Sequence, residues 1–256
     1  MSVLPSHKSR RKLVPPAPWA PGCYRFVRRL CQIPFLFCVK PVLINAEVLD
    51  GGGCVLACTH MGHLEAACVS VLVRRRIDWM VRTELFHSAL GAWILRALDA
   101  IPLQRYGVPV RALRTAIARA KAGRAVGMFP EGRVAIGPDS VCHGGAIRPG
   151  VCFISIVAQV PIVPVVVVGA EQLHNWRAWT PFRGSRLWVI LGRPLMPPAY
   201  TPGLAAAASR REQRAELSAE LQHRFVKLYA ELRARHPVDE MSSPKNSGHL
   251  PVLHER

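Results

Sequence analysis

Residues 54–72 read CVLACTHMGHLEAACVSVL, and this stretch decides the fold. CVLAC (54–58) is a short apolar run of the kind that fills a strand buried on both faces. Leu64, Cys68, Val71 and Leu72 then fall at helical spacing, and RRR (74–76) closes the run where cations suit the helix dipole. The stretch is therefore a strand, a polar turn and a helix. The same alternation continues outward from it. DWMV (78–81) is a second strand, a helical run covers about 85–98, and AIPLQR (100–105) is a third strand or extended segment. Val110, Leu113 and Ile117 mark a helix to about Lys121, which Gly123 stops. AVGMF (125–129) is a strand running into PEGR, and RPGVCFISIVAQ (148–159) is helical. VPIVPVVVVG (160–169) and RLWVILGRPL (186–195) are strands. Residues 209–235 form an amphipathic helix with Leu217, Leu221, Phe225, Leu228 and Leu232 on one face. This order predicts one α/β domain: a mixed, largely parallel sheet covered by helices. Ligands of such sheets gather beyond the C-terminal ends of the strands.

The 256 residues carry 34 Lys plus Arg against 16 Asp plus Glu, a formal charge of +18. Such a surface attracts anions, whether nucleic acid, acidic headgroups or phosphorylated small molecules. No nucleic-acid reader motif accompanies the charge and the aromatics are sparse, so no nucleic-acid partner is expected. The eight cysteines suggest a reducing compartment rather than a disulfide framework, because Cys54, Cys58, Cys68 and Cys152 lie in apolar segments. Cys54, Cys58, His60 and His63 match no paired-knuckle zinc spacing, so no metal is expected.

Residues 1–22 read as a disordered basic tail, without the apolar core of a secretory signal, and 237–256 as a second polar tail. The segment 23–44, CYRFVRRLCQIPFLFCVKPVLI, is apolar but interrupted by Arg25, Arg28, Arg29 and Lys40. Its uncharged runs fall far short of the ~20 residues a spanning helix needs. It reads as a helical segment that either lies in a membrane interface, with arginines toward headgroups, or packs on the domain. The domain proper is placed at 45–236.

Two clusters carry chemistry. His60 and Glu65 are five residues apart, about 500° along a helix, which would leave them roughly 140° apart. They meet only if His60 sits in the turn and Glu65 in the first turn of the helix, where a carboxylate also suits the dipole. A carboxylate on one imidazole nitrogen raises the basicity of the other, and such a pair can deprotonate a hydroxyl. The spacing is equally that of a His bonded at a helix start beside a first-turn Glu. His63, two residues from Glu65, is a competing base. FPEGR (129–133) is a strand end broken by Pro130, with Gly132 allowing close approach and Arg133 offering a donor fork suited to phosphate. No Gly-rich nucleotide loop is present, and no cofactor is indicated.

Together these residues resemble the glycerolipid acyltransferase superfamily, typified by 1-acylglycerol-3-phosphate acyltransferase. The resemblance covers about residues 45–195. HMGHLE (60–65) is similar to the family's His-x4-Asp block, IPLQR (101–105) to its second block, FPEGR to Phe-Pro-Glu-Gly-Thr-Arg, and VPIVPV (160–165) to its fourth. ILGRPL (190–195) is like the strand that follows. The resemblance implies that His60, oriented by Glu65, deprotonates an acceptor hydroxyl. That oxygen would attack the thioester of acyl-CoA or acyl-carrier protein. Glu131, Gly132 and Arg133 would meet the phosphate-bearing headgroup of a lyso-lipid acceptor, helped by Arg105. It implies a peripheral or monotopic enzyme on the cytoplasmic face of an anionic membrane. Departures are Thr59 for the usual Asn, Glu65 for Asp, the Thr missing before Arg133, and His143 in VCHGGAI where a Lys or Arg is common. They leave the acceptor open. Acyl-thioester hydrolysis, basic nucleic-acid binding and a non-catalytic membrane-binding shell are the rival readings.

Overall fold

The computed structural model describes residues 20–104, 109–180, 185–200 and 207–236. Residues 1–19, the tail 237–256 and Arg105 lie outside these residues, while residues 20–22, read from sequence as the end of a disordered tail, are instead the start of the first helix. Helix α1 spans Ala20–Cys38, followed by β1 (Val39–Ile44), β2 (Cys54–Cys58), α2 (Glu65–Leu72), β3 (Ile77–Arg82) and α3 (Ala89–Ala97). Then come β4 (Ile101–Leu103), α4 (Val110–Lys121), β5 (Ala125–Met128), α5 (Gly150–Ala158), β6 (Ile162–Val168), β7 (Ser185–Leu191) and α6 (Ala207–Arg235). The seven strands form one sheet in the order β1-β7-β6-β2-β5-β3-β4. Every neighbouring pair is parallel except β6–β7. The expected α/β class, mixed and mainly parallel, is the class observed.

Strand β2 shows why. Its five residues are all buried, and alternate ones face two different cores. Val55 and Ala57 pack with Ala116 of α4, Ile154 of α5 and Leu221 of α6. Leu56 and Cys58 pack with Phe35 of α1 and with Cys68 and Val69 of α2. A period-2 strand that is apolar at every position needs a cover on each face, and the helices supply it. The predicted stripe of α6 is buried throughout, from Leu217 to Leu232. Each such side chain contributes roughly 1.5–3 kcal/mol of burial.

The segment 23–44 is a correction. Only its first part is helix; 39–44 is strand β1, paired in register with β7 from Val39–Ser185 to Ile44–Ile190. The domain boundary drawn at residue 45 therefore cuts through the sheet. Val39, Val42 and Ile44 favour a pleated conformation. Pro41 is tolerated because β1 is an edge strand, as is Pro102 in β4 at the other edge. Pro164 is a harder case, lying in the interior strand β6. Strand β7 ends at Leu191 opposite Val165, and the next bridge joins Ile162 to Leu195. The missing N–H of Pro164 falls in that gap, where no carbonyl awaits it, while its own carbonyl accepts from Gly192 N at 2.8 Å.

A charged cluster was not foreseen. Asp78, at the start of β3, is buried and meets Arg124 at 2.6 Å, Arg76 at 3.4 Å and Arg119 at 3.5 Å. Asp99, held at φ 55°, pairs with Arg76 at 2.9 Å, Arg119 at 2.8 Å and Arg124 at 3.2 Å. Burial pushes the Asp78 carboxyl up from its ordinary value, and the guanidinium groups of Arg124, Arg119 and Arg76 pull it back. The cluster ties the N-terminal ends of β3 and β5 to α4, at the opposite end of the sheet from the residues described next.

Candidate active site

Strand β2 ends at Cys58, and the chain turns through Thr59–Leu64 before α2 begins at Glu65. Thr59 is buried and prolongs the sheet: its hydroxyl accepts from Val167 N at 3.0 Å, and its N–H donates to Val165 O at 3.0 Å. This explains how Thr serves at this position, since a short hydroxyl stitches the turn to β6.

His60 follows, in the turn and not in the helix. Its Nδ1 lies 3.3 Å from Glu65 Oε2, while Glu65 Oε1 accepts from the Gly62 N–H. The Glu65 side chain is fully buried and the His60 side chain is 19% exposed. The carboxylate therefore has one oxygen closing the turn and one on the imidazole. With the Nδ1 proton turned to Glu65, Nε2 is left with the lone pair. The sequence-level expectation that the two side chains meet through a bent-back chain describes this geometry. His63 stands edge-on to His60, with ring centroids 6.5 Å apart.

The imidazole is also held by a stack. Phe129, just past β5, lies 4.0 Å from it at an interplanar angle of 18°. Phe129 in turn stacks on Trp79 of β3 at 5.4 Å, and Trp79 Nε1 donates to Ser70 of α2 at 2.8 Å. Gly127 of β5 makes room, because a Cβ there would collide with the Trp79 ring. Neither ring was singled out from sequence, since only the register of three strands brings them together.

Glu131 is buried, and its carboxylate points into the protein. Oε2 accepts from the His60 main-chain N–H at 2.7 Å, and Oε1 accepts from Ser140 Oγ at 3.1 Å and Val141 N at 3.0 Å. Burial raises its carboxyl above the ordinary value, and the hydrogen bonds from Val141, His60 and Ser140 oppose the rise. Ala135 N also donates to the His60 carbonyl at 2.8 Å, so the 131–135 loop grips His60 at two main-chain points. Arg133 is exposed and pairs with the exposed Asp139 at 2.8 Å. Gly132 adopts φ 69°, a left-handed conformation that suits glycine.

His143 lies against Tyr229 of α6, with ring centroids 5.2 Å apart. Arg148 is the residue that reaches the Glu131–Gly132 turn, its Nε donating to Glu131 O at 3.2 Å. No sequence signal separated Arg148 from other surface arginines, apart from its place just before α5.

Buried thiols lie near the Glu65 and Glu131 carboxylates. Cys58 is pushed well above its ordinary value by burial and by the nearby Glu65 and Glu131 carboxylates. Cys68 and Cys142 are pushed up to about 12, chiefly by burial. These groups stay protonated at neutral pH and are poor nucleophiles. Among the described residues, the only side chain hydrogen-bonded to the His60 ring is Glu65. The arrangement can thus accept a proton from an incoming hydroxyl without a nucleophile of its own.

Comparison with known proteins gives the same class. The family model described as Acyltransferase matches residues 41–168. A 1-acyl-sn-glycerol-3-phosphate acyltransferase of Bacillus subtilis (strain 168) is 26% identical over 153 residues, which is 59% of this chain and 71% of that protein. The crystal structure of the 1-acyl-sn-glycerophosphate acyltransferase from Thermotoga maritima superposes with a TM-score of 0.56, at 22% identity. That match covers 84% of this chain and 80% of that one. The matched half of the chain contains His60, Glu65, Glu131 and Arg133, and it places the protein in the acyltransferase family, as an O-acyltransferase of the glycerolipid acyltransferase superfamily.

Proposed function

We propose that the protein moves a fatty acyl group from a thioester, acyl-CoA or acyl-carrier protein, to the free hydroxyl of 1-acylglycerol-3-phosphate. The observation that carries this is the His60–Glu65 pair at the open C-terminal ends of parallel strands. His60 Nε2 takes the hydroxyl proton while Glu65 fixes the ring. The oxygen forms a new C–O bond at the thioester carbonyl, the tetrahedral intermediate collapses, and the C–S bond breaks. The proton on His60 passes to the departing thiolate, so the base is restored without an acyl-enzyme. The name of the Bacillus relative supports this acceptor. Arg133, Gly132 and, from the family resemblance, Arg105 serve the headgroup.

Glu131 acts through His60 in this reading. Both of its oxygens are already taken by protein donors, and one of those donors is the base's own main chain. It is a positioning residue, not a ligand for the headgroup. Glu131→Gln sets an amide NH2 against one of those N–H or O–H donors. An unsatisfied buried donor costs about 1–3 kcal/mol. The expected result is kcat lower by about 10–100-fold, with KM for 1-acylglycerol-3-phosphate within about twofold. A raised KM with kcat intact would instead assign Glu131 to the headgroup.

Helix α1 supports docking on a membrane surface. Phe26, Leu30, Ile33 and Phe37 follow helical spacing and are 62–77% exposed, with Arg25 and Arg29 exposed beside them. Among the described residues no helix is long and apolar enough to cross a membrane. An apolar face flanked by cations fits the interface of an anionic leaflet on the cytosolic side, where acyl thioesters and lyso-lipid meet. Replacing Phe26, Ile33 and Phe37 by Ser is expected to lower partitioning onto phosphatidylglycerol vesicles by tenfold or more, read by co-sedimentation. Undiminished binding would mean that the membrane surface lies elsewhere.

The deciding assay presents labelled acyl-CoA and acyl-carrier protein to a panel of 1-acylglycerol-3-phosphate, other lysophospholipids and neutral 1-acylglycerol. A labelled diacyl phosphate product supports the proposal, and the productive thioester names the donor. Labelled free fatty acid alone would make the protein a hydrolase.

A further inference from the structure

We propose that His63 is a second catalytic residue, one that donates its imidazole N–H to the thioester carbonyl oxygen as negative charge develops there. This rests on the acyltransferase reading above. The attack that His60 starts moves the carbonyl π electrons onto oxygen, and a donor must hold that charge until the C–S bond breaks. Much of what surrounds the base is already committed. The N–H groups of Thr59, His60, Gly62, Gly132 and Ala135 all donate within the protein, to Val165 O, Glu131, Glu65, Phe129 O and His60 O in turn. Val141 N and Ser140 Oγ are taken by the Glu131 carboxylate, and Arg133 is paired with Asp139. Phe129 closes one face of the His60 ring and Glu65 takes Nδ1.

His63 is not committed. It is exposed, and among the described residues no hydrogen bond or ion pair holds its ring. An imidazole, neutral or charged, carries at least one N–H. The ring stands edge-on to His60, with centroids 6.5 Å apart and planes at 87°. The two rings share no hydrogen bond, and the gap between them is of the size that a tetrahedral centre fills. The attacking oxygen stands about 2.6–3.2 Å from the base, and a donor about 2.7–3.1 Å from the oxyanion. The turn that carries His63 is fixed on both sides. Gly62 is bonded to Glu65, and a Cβ on Gly62 would come within 3.1 Å of the Glu171 Cα, so the turn is seated on the segment after β6. Leu64 O accepts from Cys68 N at 2.8 Å at the start of α2. A donor on such a turn is in place before the charge appears, which is what makes an oxyanion donor effective. In the reaction, the hydroxyl proton goes to His60 as the C–O bond forms, and the carbonyl oxygen becomes an oxyanion hydrogen-bonded to His63. The electron pair then returns to carbon, the C–S bond breaks, and the thiolate takes the proton from His60.

The test compares wild type with His63→Ala, His63→Phe, His63→Asn and His63→Gln, using acyl-CoA and 1-acylglycerol-3-phosphate, with thermal melts alongside. Phe keeps a ring beside His60 without a donor, while Asn and Gln place an amide N–H near where each ring nitrogen stood. Loss of one oxyanion donor predicts that kcat falls about 10²–10³-fold in His63→Ala, with KM within about twofold. His63→Phe should be as slow as His63→Ala, and the better of the two amide variants faster than either by about tenfold or more. A packing role gives the reverse order, with Phe near wild type and the amides slow, and overturns the proposal. A raised KM with kcat intact overturns it too. The series is repeated with an S-phenyl thioester, whose thiol is a better leaving group. The loss should persist, because charge still develops on the carbonyl oxygen; a loss confined to acyl-CoA would place His63 at the leaving sulfur and overturn the assignment. If wild type releases only free fatty acid, the transfer reading falls, and the same order of variants in hydrolysis still supports His63, since water attacks the same carbonyl. If wild type transfers acyl groups and His63→Ala matches it, the proposal alone falls. No thioester turnover by wild type overturns both.

Discussion

His60→Ala is expected to lower kcat for acyl transfer by about 10²–10⁴-fold, the usual contribution of a positioned general base. The loss should be in chemistry and not in folding. The turn carrying His60 is held by its main chain, through the N–H to Glu131 and the carbonyl from Ala135, and both contacts survive removal of the ring. Glu65 keeps its bond to the Gly62 N–H and still closes the start of α2. His63 gives no substitute, because it stands edge-on to His60 with ring centroids 6.5 Å apart, off the position that the His60 imidazole holds. The check is initial rates beside thermal melts of both proteins. Undiminished transfer in a folded variant would remove His60 from the mechanism.

The largest stability effect is expected far from that site. Asp78→Ala leaves Arg76, Arg119 and Arg124 around a single carboxylate, that of Asp99. Asp78 is 1% exposed, so water does not replace what is lost. Breaking a buried ion pair by removing one partner costs about 3–5 kcal/mol. For a chain of this size, Tm should fall by roughly 6–20 °C, read by calorimetry. The cluster sits at the N-terminal ends of the strands and His60 at the other, so specific activity measured well below the melt should remain near wild type. A small shift in Tm would mean that the arginines find solvent once Asp78 is gone.

The two predictions mark what the sequence disclosed and what it hid. The strand at 54–58, the helix after it and the meeting of His60 with Glu65 were all legible, because they depend on local periodicity and on the reach of one turn. Strand β1 was not. Its VKPVLI follows an apolar helix without a break, and its partner β7 lies nearly 150 residues away. Residues 76, 78, 99, 119 and 124 are charges scattered through the chain, and nothing local separates them from a solvated surface. Only the parallel register, which sets Asp78 beside Val126, draws them into one cluster. Glu131 shows the remaining limit. The motif around it was visible, but the direction of its carboxylate depends on Ser140 and Val141, nine and ten residues on. Arg148 escaped for a like reason, since its contact with the turn exists only because Gly132 leaves the space open.

Direct transfer to a lyso-lipid hydroxyl through His60 is the central claim. Its most direct test is a single turnover, with enzyme in excess over acyl-labelled thioester and 1-acylglycerol-3-phosphate present, the quenched mixture being divided into lipid and protein fractions. The account predicts label in the diacyl phosphate product from the earliest times, none bound to protein, and neither product nor protein-bound label with His60→Ala. Label that first accumulates on the protein, or that ends as free fatty acid, would contradict it.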